Sequence, residues 1–261
     1  MNRGRCGIIG ASRAVRKSVG LGLTALVLLT LAFSLPAVAS NLVVNGDFET
    51  TTNGPNFQFD NNTVATGWTS TGYNFIFAPG AADTTGATGQ FGNLQLWGPG
   101  NGSNNGLPAT SPTGGNFAAA DGAFDVAPIQ QTINGLTANN SYTVNFWWAG
   151  AQQSGFTGAT TEQWQVSLGS QTQSTVVLNN VSHGFTGWQS QSFTYTATSS
   201  SELLSFLAVG TPTGVPPFVL LDGVSLNANS SVPEPGTLAL LGSGLLGVVG
   251  FVRRYQGKKR S

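Results

Sequence analysis

Between Ser18 and Val252 the chain contains no lysine and no arginine. All ten basic residues lie at the two ends. Arg3, Arg5, Arg13, Arg16 and Lys17 open the chain, and Arg253, Arg254, Lys258, Lys259 and Arg260 close it. The acidic residues lie between them, so the formal net charge of zero hides three segments of different character. A body with His183 as its one possible side-chain cation cannot neutralise a buried carboxylate with a salt bridge to Lys or Arg. Any acid the fold buries must find backbone or hydroxyl donors, a proton or a metal ion. The same charge balance repels phosphate backbones and excludes nucleic acid as a partner.

The N-terminal segment reads as a secretion signal. A basic stretch precedes an apolar run, GLGLTALVLLTLAFSL, and then PAVAS. Ala37 and Ala39 supply the small-x-small pattern of a signal peptidase site, which places cleavage after Ala39. An uncleaved membrane anchor is the alternative. Cys6, the single cysteine, lies within this segment. The body is therefore expected to have no disulfide, no thiol nucleophile and no thiolate metal site.

The chain closes on SVPEPGTLALLGSGLLGVVGFVRRYQGKKRS. A helix over Thr237–Val252 would span about 24 Å, short of the roughly 30 Å bilayer core. Cations follow it at once, the order of a hydrophobic stop held by positive charge. Val232, Pro233, Glu234 and Pro235, then a short apolar span, then Arg253 and Arg254, resemble the PEP-CTERM sorting signal of Gram-negative bacteria. The resemblance implies an exosortase-type processing enzyme that cuts near the motif. It also implies transient attachment to the inner membrane through the C-terminal helix, and an association with exopolysaccharide. A removable tail leaves a mature protein without a transmembrane helix, as in other tails exchanged during anchoring. The expected organisation is a signal peptide at 1–39, a domain at 40–231 and a sorting tail at 232–261.

Within 40–231 the pattern is that of strands. In SYTVNFWWA, Tyr142, Val144, Phe146 and Trp148 fall on one face and Thr143, Asn145 and Trp147 on the other. Glu162–Leu168 and Ser192–Ala197 alternate in the same way. Leu203–Val209 and Phe218–Leu226 are more uniformly apolar and read as central strands. Turn-forming clusters separate them, and no amphipathic helix of useful length appears. The fold expected is an all-β antiparallel sandwich, jelly-roll-like, flanked by an N-terminal signal helix and a C-terminal hydrophobic helix. The Gly- and Asn-rich stretch from Ala78 to Gly115 reads as long loops around one strand at Gly92–Trp97.

The body opens NLVVNGDFET, soon reaches TGWTS, and closes FVLLDGVSL. These ends resemble galactose-binding-like jelly rolls, including carbohydrate-binding modules. The resemblance implies neighbouring first and last strands and a structural calcium near them, with Glu49 and Asp222 as ligands and Asp47 as a weaker one. Asp222 also invites that reading by itself, because it is an acid inside the most apolar strand. Calcium held by carboxylates and carbonyls is one resolution, and a strand-end carboxylate accepting backbone N–H groups is the other.

Of the six tryptophans, Trp148 and Trp164 belong to the core by alternation. Trp147, Trp97 and Trp68 are the candidate surface rings for stacking on sugars, each near hydroxyl or amide side chains. Catalysis has thin support, since His183 has no nucleophile to serve and no GxSxG element occurs. Glycoside hydrolysis needs only two carboxylates at suitable separation, a role open to Asp121 and Asp125 in DGAFD. The leading expectation is a secreted surface or matrix protein that binds extracellular polysaccharide without catalysis. The alternatives are a matrix protein self-associating through calcium, and a glycoside-active enzyme.

Overall fold

The computed structural model describes residues 40–229, 242–245 and 247–248. The expected signal segment with Ala37 and Ala39, and the Val232–Pro235 motif, lie outside the described residues. In chain order the strands are β1 (Phe57–Gln58), β2 (Asn74–Phe77), β3 (Ala87–Gly89), β4 (Gly92–Leu94), β5 (Phe117–Asp121), β6 (Ile129–Asn134) and β7 (Ser141–Gln152). They continue with β8 (Thr160–Leu168), β9 (Gln171–Ser174), β10 (Leu178–Asn180), β11 (Gln189–Thr196), β12 (Ser201–Thr211) and β13 (Pro217–Ala228). A 3-10 turn at Pro99–Asn101 and helical residues 242–245 and 247–248 complete the regular structure. Among the described residues no helix is long and apolar enough to cross a membrane.

The strands form two sheets. The larger runs β11-β7-β13-β5-β2-β1-β3-β4, and the smaller runs β10-β8-β12-β6 with β9 also on β8. All pairings are antiparallel except β1 with β3. This is the all-β, jelly-roll-like sandwich that the alternation demands. Its inner core gathers the inward residues of both sheets. Val144, Phe146 and Trp148 of β7 and Val219, Leu221 and Leu226 of β13 meet Trp164 and Val166 of β8 and Leu204 and Phe206 of β12. Trp164 and Phe206 meet edge to face, 5.9 Å between centroids.

A second core lies on the other face of the larger sheet. Phe75 and Phe77 of β2, Phe117 and Ala119 of β5, Ala149 and Ala151 of β7 and Phe218 and Leu220 of β13 are all buried there. Ala82, Ala87, Leu94, Leu96 and Leu107 cover them. The Gly- and Asn-rich stretch is thus a structured cap: the strand expected at Gly92–Trp97 is present as the shorter β4, and β3 and the 3-10 turn are added to it. Sandwiched between two cores, residues Phe218–Leu221 have no solvent side, so the strand loses its alternation.

Residues 41–46 run beside the second half of β13. Leu42 N–H donates to the Leu226 carbonyl at 2.9 Å, Leu226 N–H donates to Asn41 Oδ1 at 2.9 Å, and Val224 N–H donates to the Gly46 carbonyl at 2.9 Å. A Cβ on Gly46 would stand 1.9 Å from the Val224 carbonyl oxygen, so this approach requires glycine. The neighbouring first and last segments implied by NGDFE and LLDGV are present.

Candidate functional site

Half of the larger sheet's outer face is open. On β7, Thr143, Asn145 and Trp147 point outward and are half-buried. Their partners on β11 are Thr194, Ser192 and Ser190, and on β13 they are Asn227, Ser225 and Asp222. Three strands therefore present a polar surface carrying one indole, Trp147. Ser192 Oγ donates to Asn145 Oδ1, and Thr143 and Thr194 share a hydroxyl contact of 3.2 Å. Trp147 rests beside Gly223, whose added Cβ would lie 3.2 Å from the indole Cδ1 and 2.7 Å from Thr113 Cγ2.

Gly223 is also where the strand changes phase. The β7–β13 register shifts between Asp222 and Ser225, and Gly223 takes φ +59°. This bulge keeps Leu221 and Val224 both facing inward and leaves Asp222 on the outer side, next to Trp147. The indole and the carboxylate are neighbours because of one glycine.

The structure separates the three candidate tryptophans. Trp68 is a correction, because its ring is core, 1% exposed. Its indole N–H donates to the Asn45 carbonyl at 2.9 Å, and its ring packs on Phe48 (5.3 Å) and Phe206 (6.2 Å). The NGDFE turn supplies the acceptor that lets this indole be buried, so the two quoted elements form one structural joint. Trp97 is half-buried at a meeting of loops. Its Nε1 donates to the Phe156 carbonyl at 2.9 Å, and its ring lies 4.0 Å from that of His183. His183 has φ +61°, and its carbonyl accepts from Ser103 Oγ (2.8 Å) and Asn105 Nδ2 (2.9 Å). This histidine is built into a stack on Trp97. Trp148 and Trp164 are buried, as alternation requires.

The carboxylates sort by their donors. Asp222 is fully buried, and its Oδ2 accepts from the Ser111 and Thr113 hydroxyls while Oδ1 has no partner. Burial raises its pKa to about 6, with a smaller upward push from Asp47, and the hydroxyl bonds act against the rise. Glu49 is exposed and accepts from the Asn116 N–H at 2.6 Å, so Glu49 and Asp222 both hold the 111–116 segment. Among the described residues no three His, Cys, Asp or Glu side chains form a metal-ligand group.

Asp121 and Asp125 do different jobs. Asp121 is buried, and its Oδ1 accepts from the N–H groups of Ala123 (2.8 Å) and Phe124 (3.0 Å), so it caps a turn. Burial raises its pKa to about 6. Asp125 is exposed and accepts from Gln90 Nε2 at 3.1 Å. Glu162, inside the sandwich, accepts from the Thr160 hydroxyl and keeps Oε2 unpaired. Burial raises it to about 7. A groove of about 210 Å3 is lined by Thr160, Thr161, Asn180, Val181 and Thr211 among others, and by no tryptophan.

One aromatic feature escaped the sequence. Phe91 (67% exposed) and Phe124 (45% exposed) pack 5.6 Å apart over the buried Tyr73. The only signal was a phenylalanine alone among glycines and polar residues, in GQFGN and in DGAFD.

Residues 231–254 match the PEP-CTERM protein-sorting motif. The chain carries a sorting signal, and it is a secreted protein sorted to the cell surface. Residues 107–219 match a family described only as a protein of unknown function, DUF642. No curated protein matches the chain.

Among solved structures, TmCBM61 in complex with beta-1,4-galactotriose is similar over 73% of this chain and 100% of its own, at 17% identity and TM-score 0.41. The CBM22-1 xylan-binding domain of Xyn10C from Paenibacillus barcinonensis is similar over 75% of this chain and 98% of its own, at 11% identity and TM-score 0.37. The K3 cleaved adhesin domain of Lys-gingipain from Porphyromonas gingivalis is similar over 72% and 99%, at 11% identity and TM-score 0.38. At such distances these likenesses carry nothing about ligands.

Proposed function

We propose that this secreted protein associates, without catalysis, with extracellular polysaccharide through the open face around Trp147. The observation that supports the reading is the face itself. One half-buried indole stands among Thr143, Asn145, Ser190, Ser192, Thr194, Ser225 and Asn227 on three adjacent strands. An indole offers a flat apolar surface to a pyranose ring, and hydroxyls and amides both donate to and accept from sugar hydroxyls. Trp97, stacked on His183, is a second aromatic of the same kind. The test is a glycan array with the purified protein and its Trp147→Ala variant. Selective binding lost in the variant supports the reading. Equal binding by both proteins removes Trp147 from it.

The sorting motif frames where this happens. In this reading an exosortase-type enzyme cuts the tail near Val232–Pro235, after transient inner-membrane attachment in a Gram-negative host. The product joins the cell surface or the matrix. Calcium belongs to the same proposal. What supports it is the unpaired Asp222 Oδ1 with Asp47 acting on it from nearby; Asp47 and Glu49 do not converge with Asp222 as a three-carboxylate group, so backbone carbonyls would supply most of the ligands. A melting temperature unchanged by chelator would remove the calcium.

A matrix protein that self-associates through calcium is the second reading, favoured by one observation. Val176, Val177 and Val181 are 63%, 54% and 73% exposed beside β9 and the edge strand β10. Light scattering with and without calcium tests it, and a monomer under both conditions removes it.

A further inference from the structure

We infer that the polysaccharide accepted by the Trp147 face carries neither carboxylate nor sulfate groups. The inference rests on the platform reading above and names the class of ligand. The ionisable side chain in register with Trp147 is Asp222, and Asp47 lies close enough to raise its pKa. Glu49 grips the same 111–116 segment that Ser111 and Thr113 tie to Asp222. Every charge identified around the face is negative.

No side-chain cation answers them. Lys and Arg are absent from Ser18 to Val252, and His183 is committed to the Trp97 stack rather than to this face. Signal cleavage would free one ammonium at the new amino end, against nine carboxylates in the body. An anionic sugar stacked on Trp147 would bring its charge within screening distance of Asp222, where salt attenuates repulsion only in part. It would also lose hydration with no guanidinium or ammonium to replace it. A neutral sugar incurs neither cost and finds hydroxyl and amide partners in three rows. The face selects by what it lacks as much as by what it offers.

The experiment is affinity electrophoresis of the purified protein at low salt with a chelator present, which removes calcium bridges. The probes are neutral β-1,4-galactan, galactomannan and xyloglucan, set against polygalacturonate, alginate and a sulfated galactan. Retardation by at least one neutral polymer is expected, with any anionic polymer at least about tenfold weaker. The variant Ser190→Lys, at an exposed position paired with Trp147, is expected to gain retardation by polygalacturonate.

Trp147-dependent retardation of the native protein by an anionic polymer overturns the inference and leaves the platform standing. A Ser190→Lys variant indifferent to polygalacturonate overturns the electrostatic account. Indifference of the native protein to all six polymers overturns the platform reading, and the inference falls with it.

Discussion

The two ends of β7 carry one side-chain phase into two environments. Thr143, Asn145 and Trp147 point outward into solvent, while Ala149 and Ala151 point the same way into a buried core. The same division runs through β13, where Phe218 and Leu220 are covered and Ser225 and Asn227 are open. A single sheet face is thus half interior and half surface. Where the 78–115 cap sits, the strands bear alanine and aromatic side chains that fit beneath it. Where the cap ends, hydroxyls and amides begin. Two tryptophans mark the boundary in sequence, Trp148 in the inner core and Trp147 at the open half's edge.

The sharpest way to break this comparison is on the covered half. Phe218 is fully buried and packs 6.3 Å from Phe75 and 6.4 Å from Tyr73. Phe218→Ala is expected to cost about 3–5 kcal/mol of stability, measured by urea unfolding. A cost near that of a surface change would mean the cap is not integral to the domain.

The buried carboxyls set the next effect. Asp121 and Asp222 are raised to about 6 and Glu162 to about 7, in each case by burial first. A raised folded pKa contributes stability that is fully present below the unfolded value and lost as pH rises through the folded one. The domain is therefore expected to be most stable near pH 4 and to lose up to about 3 kcal/mol per group between there and pH 7.5 without calcium. Melting curves across that range check the sign. A rise in stability with pH would mean that these acids are ionised and partnered.

On the boundary itself, Gly223→Ala places a methyl against Thr113 in a left-handed backbone. It is expected to cost about 1–3 kcal/mol and to weaken glycan binding by displacing Trp147. Retained binding at full strength would show that the bulge does not position the indole. The smallest stability effect belongs to the open half. Trp147→Ala is expected to cost about 1 kcal/mol, since the ring is only half-buried, while abolishing retention on a glycan column. The two variants Phe218→Ala and Trp147→Ala should thus show opposite ratios of stability loss to binding loss.

Much of the fold was legible in these residues. Alternation in SYTVNFWWA and EQWQVSL placed β7 and β8 and assigned Trp148 and Trp164 inward, because a half-buried strand must alternate. The uniform run FVLL told of a central strand, but not that a second core covers it. The cap was opaque because its Gly- and Asn-rich sequence has no period, and its buried residues, such as Ala82, Leu94 and Leu107, come from separate turns. Trp68 was misread for a related reason. A tryptophan near polar residues looks exposed until the Asn45 carbonyl is seen to receive its N–H.

What the sequence determined by itself is the charge partition, the address at the C-terminus and the strand character of the body. These follow from composition, order and a period of two, which need no distant partner. What only the tertiary structure decided is which polar residues share a face. Ser190, Trp147 and Asp222 are far apart in the chain and meet because β11, β7 and β13 are adjacent and a bulge at Gly223 resets the phase. Register between strands depends on distant pairings and on local backbone conformation, and neither is written in the residues of one strand.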